Sequence, residues 1–235
     1  MKIALIGYGK MGKMIEEVSL DRNHTISTII DAKDWGVNQL NNADLAIDFS
    51  APESATSNIF KCLESNTPVV VGTTGWYSDW QAVEKDVVLK NGAILTATNF
   101  SIGVNIFYEI NKKLASLMNG QNNYKAHIIE KHHIHKLDSP SGTAISIAEQ
   151  MIQNIDAYST WKESDVIDES VIQITSERKK EIPGTHEVSY KSEIDEIKII
   201  HEANNRKGFA LGAVIAAEFL FNKKGIYTMN DVLKL

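Results

Sequence analysis

The spacing of apolar and polar residues changes several times along the chain, and each change marks an element. Residues 2–7 form a short continuous apolar run, as a strand buried on both faces requires. Met11, Met14, Ile15 and Val18 then recur at the spacing of one helix face. Residues 25–31 (TISTIID) are β-branched and read as a second strand, and residues 43–49 (ADLAIDF) as a third. Pro52 suits the first turn of a helix running to about residue 65. Residues 68–72 (PVVVG) predict a fourth strand, residues 78–90 a helix and residues 93–98 a fifth strand. Strands alternating with helices predict a parallel sheet with right-handed crossovers.

Beyond residue 100 the pattern differs. Residues 104–118 predict a helix with Phe107, Ile110, Leu114 and Leu117 on one face, and residues 124–130 a strand. Residues 141–154 predict a helix that groups Ala144, Ile147, Ala148, Met151 and Ile152. Residues 171–175, 186–191 and 193–201 read as strands of a mostly antiparallel sheet. A helix of small residues over 206–221 and a short one over 230–235 follow. The pattern predicts an α/β unit and then an α+β unit, with the allegiance of the helix at 206–221 open.

Composition narrows the function classes. The 235 residues are 43% hydrophobic and 23% charged, as in ordinary globular proteins. Lys and Arg number 24 against 30 Asp and Glu, a formal net charge of −6, which argues against nucleic acid as a partner. No apolar run approaches the roughly 20 residues of a membrane span, so no membrane partner is expected. Glycines and lysines interrupt the opening MKIALIGYGKMG at once, which predicts no signal peptide. The one cysteine, Cys62, cannot form an intramolecular disulfide, and a cytoplasmic setting is expected.

Gly7-Tyr8-Gly9-Lys10-Met11-Gly12 is a G-x-G-x-x-G turn between a predicted strand and a predicted helix. The first glycine permits the turn, the second lets backbone approach a pyrophosphate, and the third lets helix and strand pack closely. The helix N-terminus offers free N–H groups to phosphate. Asp31 ends the second strand, 19 residues beyond Gly12, where a carboxylate meets ribose hydroxyls. Together these features predict a dinucleotide site.

The second chemical feature is Glu130-Lys131-His132-His133-Ile134-His135-Lys136, followed by Leu137-Asp138-Ser139-Pro140-Ser141-Gly142-Thr143 and a helix. It holds three of the seven histidines. A metal site, a solvated polar loop and a proton-donating anion site all accommodate it. The interleaved lysines and the lack of a nearby cysteine disfavour a metal, and none is expected. Histidine titrates near neutrality, Lys136 carries a point charge, and the helix opening at Ser141-Gly142-Thr143 favours a carboxylate. A small polycarboxylate suits such a site.

The segment E-x-H-H-x-H-K-x-D-x-P-S-G-T-A resembles the signature of the 4-hydroxy-tetrahydrodipicolinate reductase (dihydrodipicolinate reductase) family. The likeness runs the length of the chain, through Val71-Gly72-Thr73-Thr74-Gly75, the segment from Ala97-Thr98-Asn99-Phe100 to Asn105, and Asn205-Arg206. It implies that His132 is a proton donor and acceptor and Lys136 a second donor. It implies that His133 touches a cyclic dicarboxylate substrate, with Ser141, Gly142 and Thr143 holding one carboxylate. Gly7, Tyr8, Gly9, Lys10, Met11 and Gly12 are expected to cradle the pyrophosphate and Asp31 the ribose. Gly72, Thr73 and Thr74, with Ala97, Thr98, Asn99 and Phe100, are expected on the nicotinamide side.

The resemblance also implies a Rossmann-type parallel-sheet domain from residues 1–100 and 206–235. Residues 101–205 would form an α+β domain, inserted for substrate binding and tetramer assembly. Where the family often has arginine, this chain has Ala32 after the ribose acid and Ala51 after Asp48-Phe49-Ser50. Lys33 is then the nearest partner for a 2′-phosphate. NADH and NADPH are both expected to serve, with NADH modestly favoured. The implied reaction is reduction of the cyclic dicarboxylate in the diaminopimelate route to lysine. An acylating aldehyde dehydrogenase would need a nucleophilic cysteine, and Cys62 lies in a predicted helix of the wrong unit. A dinucleotide-sensing regulator would have no use for the His/Lys block.

Overall fold

The opening apolar run becomes β1 (Lys2–Ile6) in the computed structural model, which describes residues 1–163, 169–180 and 182–235. There follow α1 (Lys10–Asp21), β2 (Thr25–Ile30), β3 (Leu45–Asp48) and α2 (Pro52–Glu64), then β4 (Val69–Val71), α3 (Trp80–Leu89) and β5 (Ala93–Thr96). Next come α4 (Ile102–Met118), β6 (Lys125–His132), α5 (Gly142–Asn154), β7 (Thr160–Lys162), β8 (Val171–Arg178), β9 (Gly184–Lys191) and β10 (Glu196–Ala203). The chain closes with α6 (Lys207–Leu220), β11 (Gly225–Tyr227) and α7 (Met229–Leu233). It divides into two units, Met1–Ile102 with Lys207–Leu235, and Gly103–Arg206.

In the first unit six strands pair in the order β11-β5-β4-β3-β1-β2, every pairing parallel. Alternate side chains of β1 enter two separate cores. Ile3 and Leu5 join Ile15 and Val18 of α1 and the alanines of α6, whereas Ala4 and Ile6 join Ile59, Cys62 and Leu63 of α2. This double burial is why β1 and β4 read as unbroken apolar runs. Because β1 lies between β2 and β3, the chain switches direction there, and the loops after β1 and β3 flank a crevice. Between β2 and β3 only a short 3-10 turn (Val37–Leu40) stands where a crossover helix is common. The short strand β11 escaped the pattern reading.

In the second unit five strands run β10-β9-β6-β8-β7. The sheet is mixed, and its two longest pairings are the expected antiparallel ones. β9 pairs antiparallel with β6 and β10, but β6–β8 and β7–β8 are parallel. The short strand β7 went unseen, and β8 runs on to Arg178 because its polar end still pairs with β6. Ile128, Ile172, Ile174 and Val188 pack against Ile147, Ala148 and Met151 of α5 and Phe107 and Ala115 of α4.

The face of α4 also differs from expectation. Val104, Phe107, Asn111, Ala115 and Met118 are buried, while Ile110 and Leu117 are exposed. A polar residue can occupy that stripe because Asn111 Nδ2 donates to Ile147 O (3.2 Å) and Gln150 Oε1 (3.1 Å). The segment expected to build a tetramer, residues 171–201, includes position 181, which lies outside the described residues.

Candidate active site

The glycine turn builds a cradle in the first unit. Gly7 takes φ +85°, and a Cβ there would lie 2.4 Å from Phe49 O. A Cβ on Gly12 would lie 2.3 Å from Gly7 O, so helix and turn touch backbone to backbone. A Cβ on Gly9 would meet nothing within 4 Å. Two glycines therefore close the turn, and the middle one leaves open space before the first turn of α1. Gly9 is the N-cap of α1 and no side chain caps that turn. Free helix N–H groups facing an open concavity suit a pyrophosphate.

A cleft of about 330 Å³ lies here, lined by Gly7, Tyr8, Gly9, Asp31, Lys33 and Ser50 among others. Asp31 Oδ1 accepts from the Tyr8 backbone N–H at 2.9 Å, which aims the carboxylate into the cleft wall. Lys33 is 84% exposed and 3.8 Å from Glu53.

Asp48, fully buried at the end of β3, organises the opposite wall. Its Oδ1 accepts from Ser50 N (2.9 Å), Ser50 Oγ (2.7 Å) and Thr73 Oγ1 (2.8 Å), and its Oδ2 from Asn58 Nδ2 (2.9 Å). Burial pushes this carboxyl up, against those hydrogen bonds. Thr73 thus turns its hydroxyl inward, and its carbonyl accepts from the buried Trp76 Nε1 at 2.8 Å. Gly72 is fixed by Phe49, whose ring would lie 2.1 Å from a Cβ. Phe100 is buried against Phe49, ring centroids 5.7 Å apart, and its side chain belongs to the core. Ala97 and Asn99 are half-buried, and Thr74 and Thr98 exposed.

In the second unit the strand period sorts the histidine block. Along β6 the covered face carries Ala126, Ile128, Glu130 and His132. Register then sets Glu130 between Ser176 of β8 and His186 of β9, and His132 beside Arg178. Glu130 is 0% and His132 7% exposed. Glu130 Oε2 lies 3.0 Å from His132 Nδ1, and Oε1 accepts from Arg178 Nη2 at 3.0 Å. Burial alone would raise the Glu130 pKa, yet His132, Ser141 and Ser176 hold it well below the usual carboxylate range.

His186 packs edge-on to His132, centroids 5.1 Å apart, with Nε2 3.2 Å from Ser141 Oγ. Burial, and then the neighbouring His132, push His186 down to about 3, so it is neutral at pH 7.

The loop after β6 adds cations. Lys136 Nζ pairs with Asp138 at 2.9 Å, and Arg178 Nη2 also donates to the Asp138 carbonyl at 2.7 Å. Arg206 Nη2 lies 3.1 Å from His133 Nε2. Burial, with Arg206 next, lowers the His133 pKa. Ser141 caps α5, its Oγ accepting from Ala144 N at 3.2 Å. A Cβ on Gly142 would meet nothing within 4 Å, so the first turn of α5 is open to a ligand. The Thr143 hydroxyl meets that of Tyr108.

The structure therefore groups His132, Ser141 and Lys136 with residues the sequence reading left out of the site: Glu130, Arg178, His186 and Arg206. Glu130 was detectable, two residues before His132 on one strand face. Arg178 and His186 become visible only with the sheet register. Glu130, His132 and His186 offer ligand atoms within 4.8 Å of one another. Arg178 already supplies the cation to that carboxylate, so the group fits an acid–imidazole pair better than a metal site. Cys62 is fully buried, and burial, then Asp48, push its thiol up, which removes a thiolate nucleophile.

Comparison with known proteins places these features. The family model described as dihydrodipicolinate reductase, N-terminus, matches residues 1–100, and its C-terminus counterpart matches residues 103–233. A 4-hydroxy-tetrahydrodipicolinate reductase of Christiangramia forsetii is 48% identical over 235 residues, covering 99% of this chain and 98% of its own. One of Thermosipho africanus is 34% identical over 236 residues, covering 100% and 98%. A dipicolinate-bound dihydrodipicolinate reductase from Paenisporosarcina sp. shares the fold, with TM-score 0.76, 22% identity and 97% of each chain covered. By its motifs, its fold and these full-length likenesses, the chain belongs to the dihydrodipicolinate reductase family of pyridine-nucleotide-dependent oxidoreductases.

Proposed function

We propose that this protein reduces (2S,4S)-4-hydroxy-2,3,4,5-tetrahydrodipicolinate to (S)-2,3,4,5-tetrahydrodipicolinate, the activity its relatives' names carry. The observation that carries the reading is the site around the start of α5. There an imidazole (His132), an ammonium (Lys136) and an open helix N-terminus at Gly142 meet in one unit. That set binds carboxylates and moves a proton.

The C4 hydroxyl and a C5 proton leave as water, opening a C4=C5 double bond conjugated to the ring imine, and reduced nicotinamide, when bound, would supply hydride to C4 of that unsaturated ring. His132 protonates the resulting enamine, with Lys136 as the second donor. His133 and Arg206 draw a ring carboxylate, and Ser141, Gly142 and Thr143 receive it at the helix N-terminus. Gly7, Tyr8, Gly9, Lys10, Met11 and Gly12 hold the pyrophosphate and Asp31 the ribose. The backbone of Gly72 and Thr73, with Thr74, Ala97, Thr98 and Asn99, lines the nicotinamide side.

Both NADH and NADPH serve, NADH modestly better, because the cleft offers Asp31 and one exposed lysine and no arginine. The protein works in the cytoplasm; no helix among the described residues is long and apolar enough to cross a membrane. It assembles as a homotetramer through the uncovered face of the second sheet, where Ile200 is 56% exposed and His127, Gln173 and Lys198 line a recess of about 290 Å³. The test of the activity is loss of reduced-nicotinamide absorbance on adding freshly generated cyclic substrate, with pyridine-2,6-dicarboxylate as a competing planar mimic. Turnover blocked competitively by the mimic is expected. No turnover with either cofactor would overturn the assignment.

A further inference from the structure

A proton donor needs a defined tautomer and a stable ring position, and the sequence motif names no group that provides them. Nδ1 of His132 has no hydrogen-bond partner of strict geometry among the described residues. The atom it faces is Glu130 Oε2, at 3.0 Å. Glu130 is fully enclosed, and a buried carboxylate needs compensation. Arg178 supplies it, bonded to Oε1 at 3.0 Å and at the same time to the Asp138 carbonyl at 2.7 Å. The arginine thus ties the anion to the loop that presents Lys136, whose ammonium pairs with Asp138. On the far side of the ring, a Cβ at position 184 would stand 3.1 Å from His132 Nε2, so Gly184 leaves just enough room for this orientation.

The geometry points to Glu130 as a positioning residue for the proposed reduction: held by Arg178, it fixes His132 with a proton on Nδ1 and leaves Nε2 to serve the substrate. The inference rests on the reading of His132 as proton donor. It extends that reading in two ways. The ring is oriented from behind, and the negative charge of Glu130 stabilises the imidazolium that forms whenever Nε2 takes up a proton. Glu130 itself touches neither substrate nor cofactor and works only through the imidazole. His186 cannot take its place, because its Nε2 lies 3.2 Å from Ser141 Oγ and its ring stays neutral.

Two measurements on the whole enzyme test this. The first is the 15N spectrum of the His132 ring in the unaltered protein, assigned by the signal lost in His132→Gln. The expected neutral form is protonated on Nδ1, the minor tautomer of free histidine. A ring protonated on Nε2 would overturn the inference, and this readout does not depend on any Glu130 variant folding. The second is kcat and KM for Glu130→Gln and Glu130→Asp.

Glu130→Gln is expected to lower kcat by about 10- to 100-fold, less than the whole contribution of a general acid. KM and cofactor affinity should stay nearly unchanged, and Glu130→Asp should restore part of the rate. The other charged or titratable groups around this ring, Arg178 on β8, His186 on β9, and His133 and Lys136 in the loop, all remain. Full kcat in Glu130→Gln together with a loss in His132→Gln would overturn the role of Glu130 alone. Full kcat in His132→Gln would instead overturn the reading of His132 on which it rests.

Discussion

Glycines at positions 9 and 12 share one motif but do opposite work. At Gly12 a methyl group would strike the Gly7 carbonyl at 2.3 Å, backbone against backbone, so Gly12→Ala should cost stability, about 1–3 kcal/mol by the scale of overpacking. At Gly9 a methyl has free space, so Gly9→Ala should leave Tm within a degree or two while weakening cofactor binding at least tenfold. Thermal melts with and without NADH separate the two, and a Gly9→Ala protein with native affinity would show that phosphate does not sit over this turn.

On the proposed reading, the same cleft sets the choice of cofactor. In the proposed dinucleotide pose Asp31 would face a 2′-phosphate of about −1.5 to −2 charge, with Lys33 the one cation lining the cleft among the described residues, and that lysine is already 3.8 Å from Glu53. NADH should be favoured by about tenfold, equivalent to about 1.4 kcal/mol. Asp31→Ser should shift preference toward NADPH, and Lys33→Ala should weaken NADPH alone. The comparison is kcat/KM for each cofactor at fixed ionic strength. A strong native preference for NADPH, unmoved by Lys33→Ala, would place the 2′-phosphate elsewhere.

Among elements, α5 carries the proposed anion site, and Ser141 sets where the helix begins. Its hydroxyl caps Ala144 N and touches His186, so Ser141→Ala should cost about 1 kcal/mol and raise KM for the dicarboxylate. His186 beneath it gives the second unit an acid sensitivity. Its folded pKa of about 3 lies below the usual 6.5, so the unfolded chain binds more protons between those values. Stability from this group is present above about pH 6.5 and is lost as pH falls toward 3, by at most about 1.4 kcal/mol per unit. Glu130, held low, adds loss below the ordinary carboxylate range, in the same direction. Melts of the wild type and His186→Asn across pH 7 to 4 should converge toward the acid end. Parallel curves would show that His186 is not buried neutral.

Much of this was legible from residue order. The parallel strands, the glycine turn and the helix opening at Gly142 follow from local period and local turn chemistry. The pairing of β6 with β8 was not legible, because parallel register is set by distant segments. Hence Arg178 and His186 could not be placed beside Glu130 in advance. The α4 face misled for a different reason: a hydrogen-bonded Asn111 lies inside while Ile110 and Leu117 lie outside.

At the scale of the whole molecule, two units of different architecture divide the work. On the proposed reading, a doubly covered parallel sheet carries the nucleotide cradle, and a mixed sheet with α4 and α5 on one face carries the proton-transfer and anion site. The uncovered face of that second sheet predicts self-association, and light scattering at micromolar concentration should report a tetramer. A monomer there would contradict the proposed assembly.

The central claim is that this protein reduces a cyclic dicarboxylate with His132 as proton donor. The measurement that meets it most directly is kcat of the wild type and of His132→Gln with the cyclic substrate and NADH, alongside the NADH affinity of each. The account predicts turnover by the wild type, a fall of about 10²–10⁴-fold in the variant, and NADH affinity nearly unchanged. A variant that turns over at the wild-type rate, or a wild type that leaves the substrate unreduced, would contradict it.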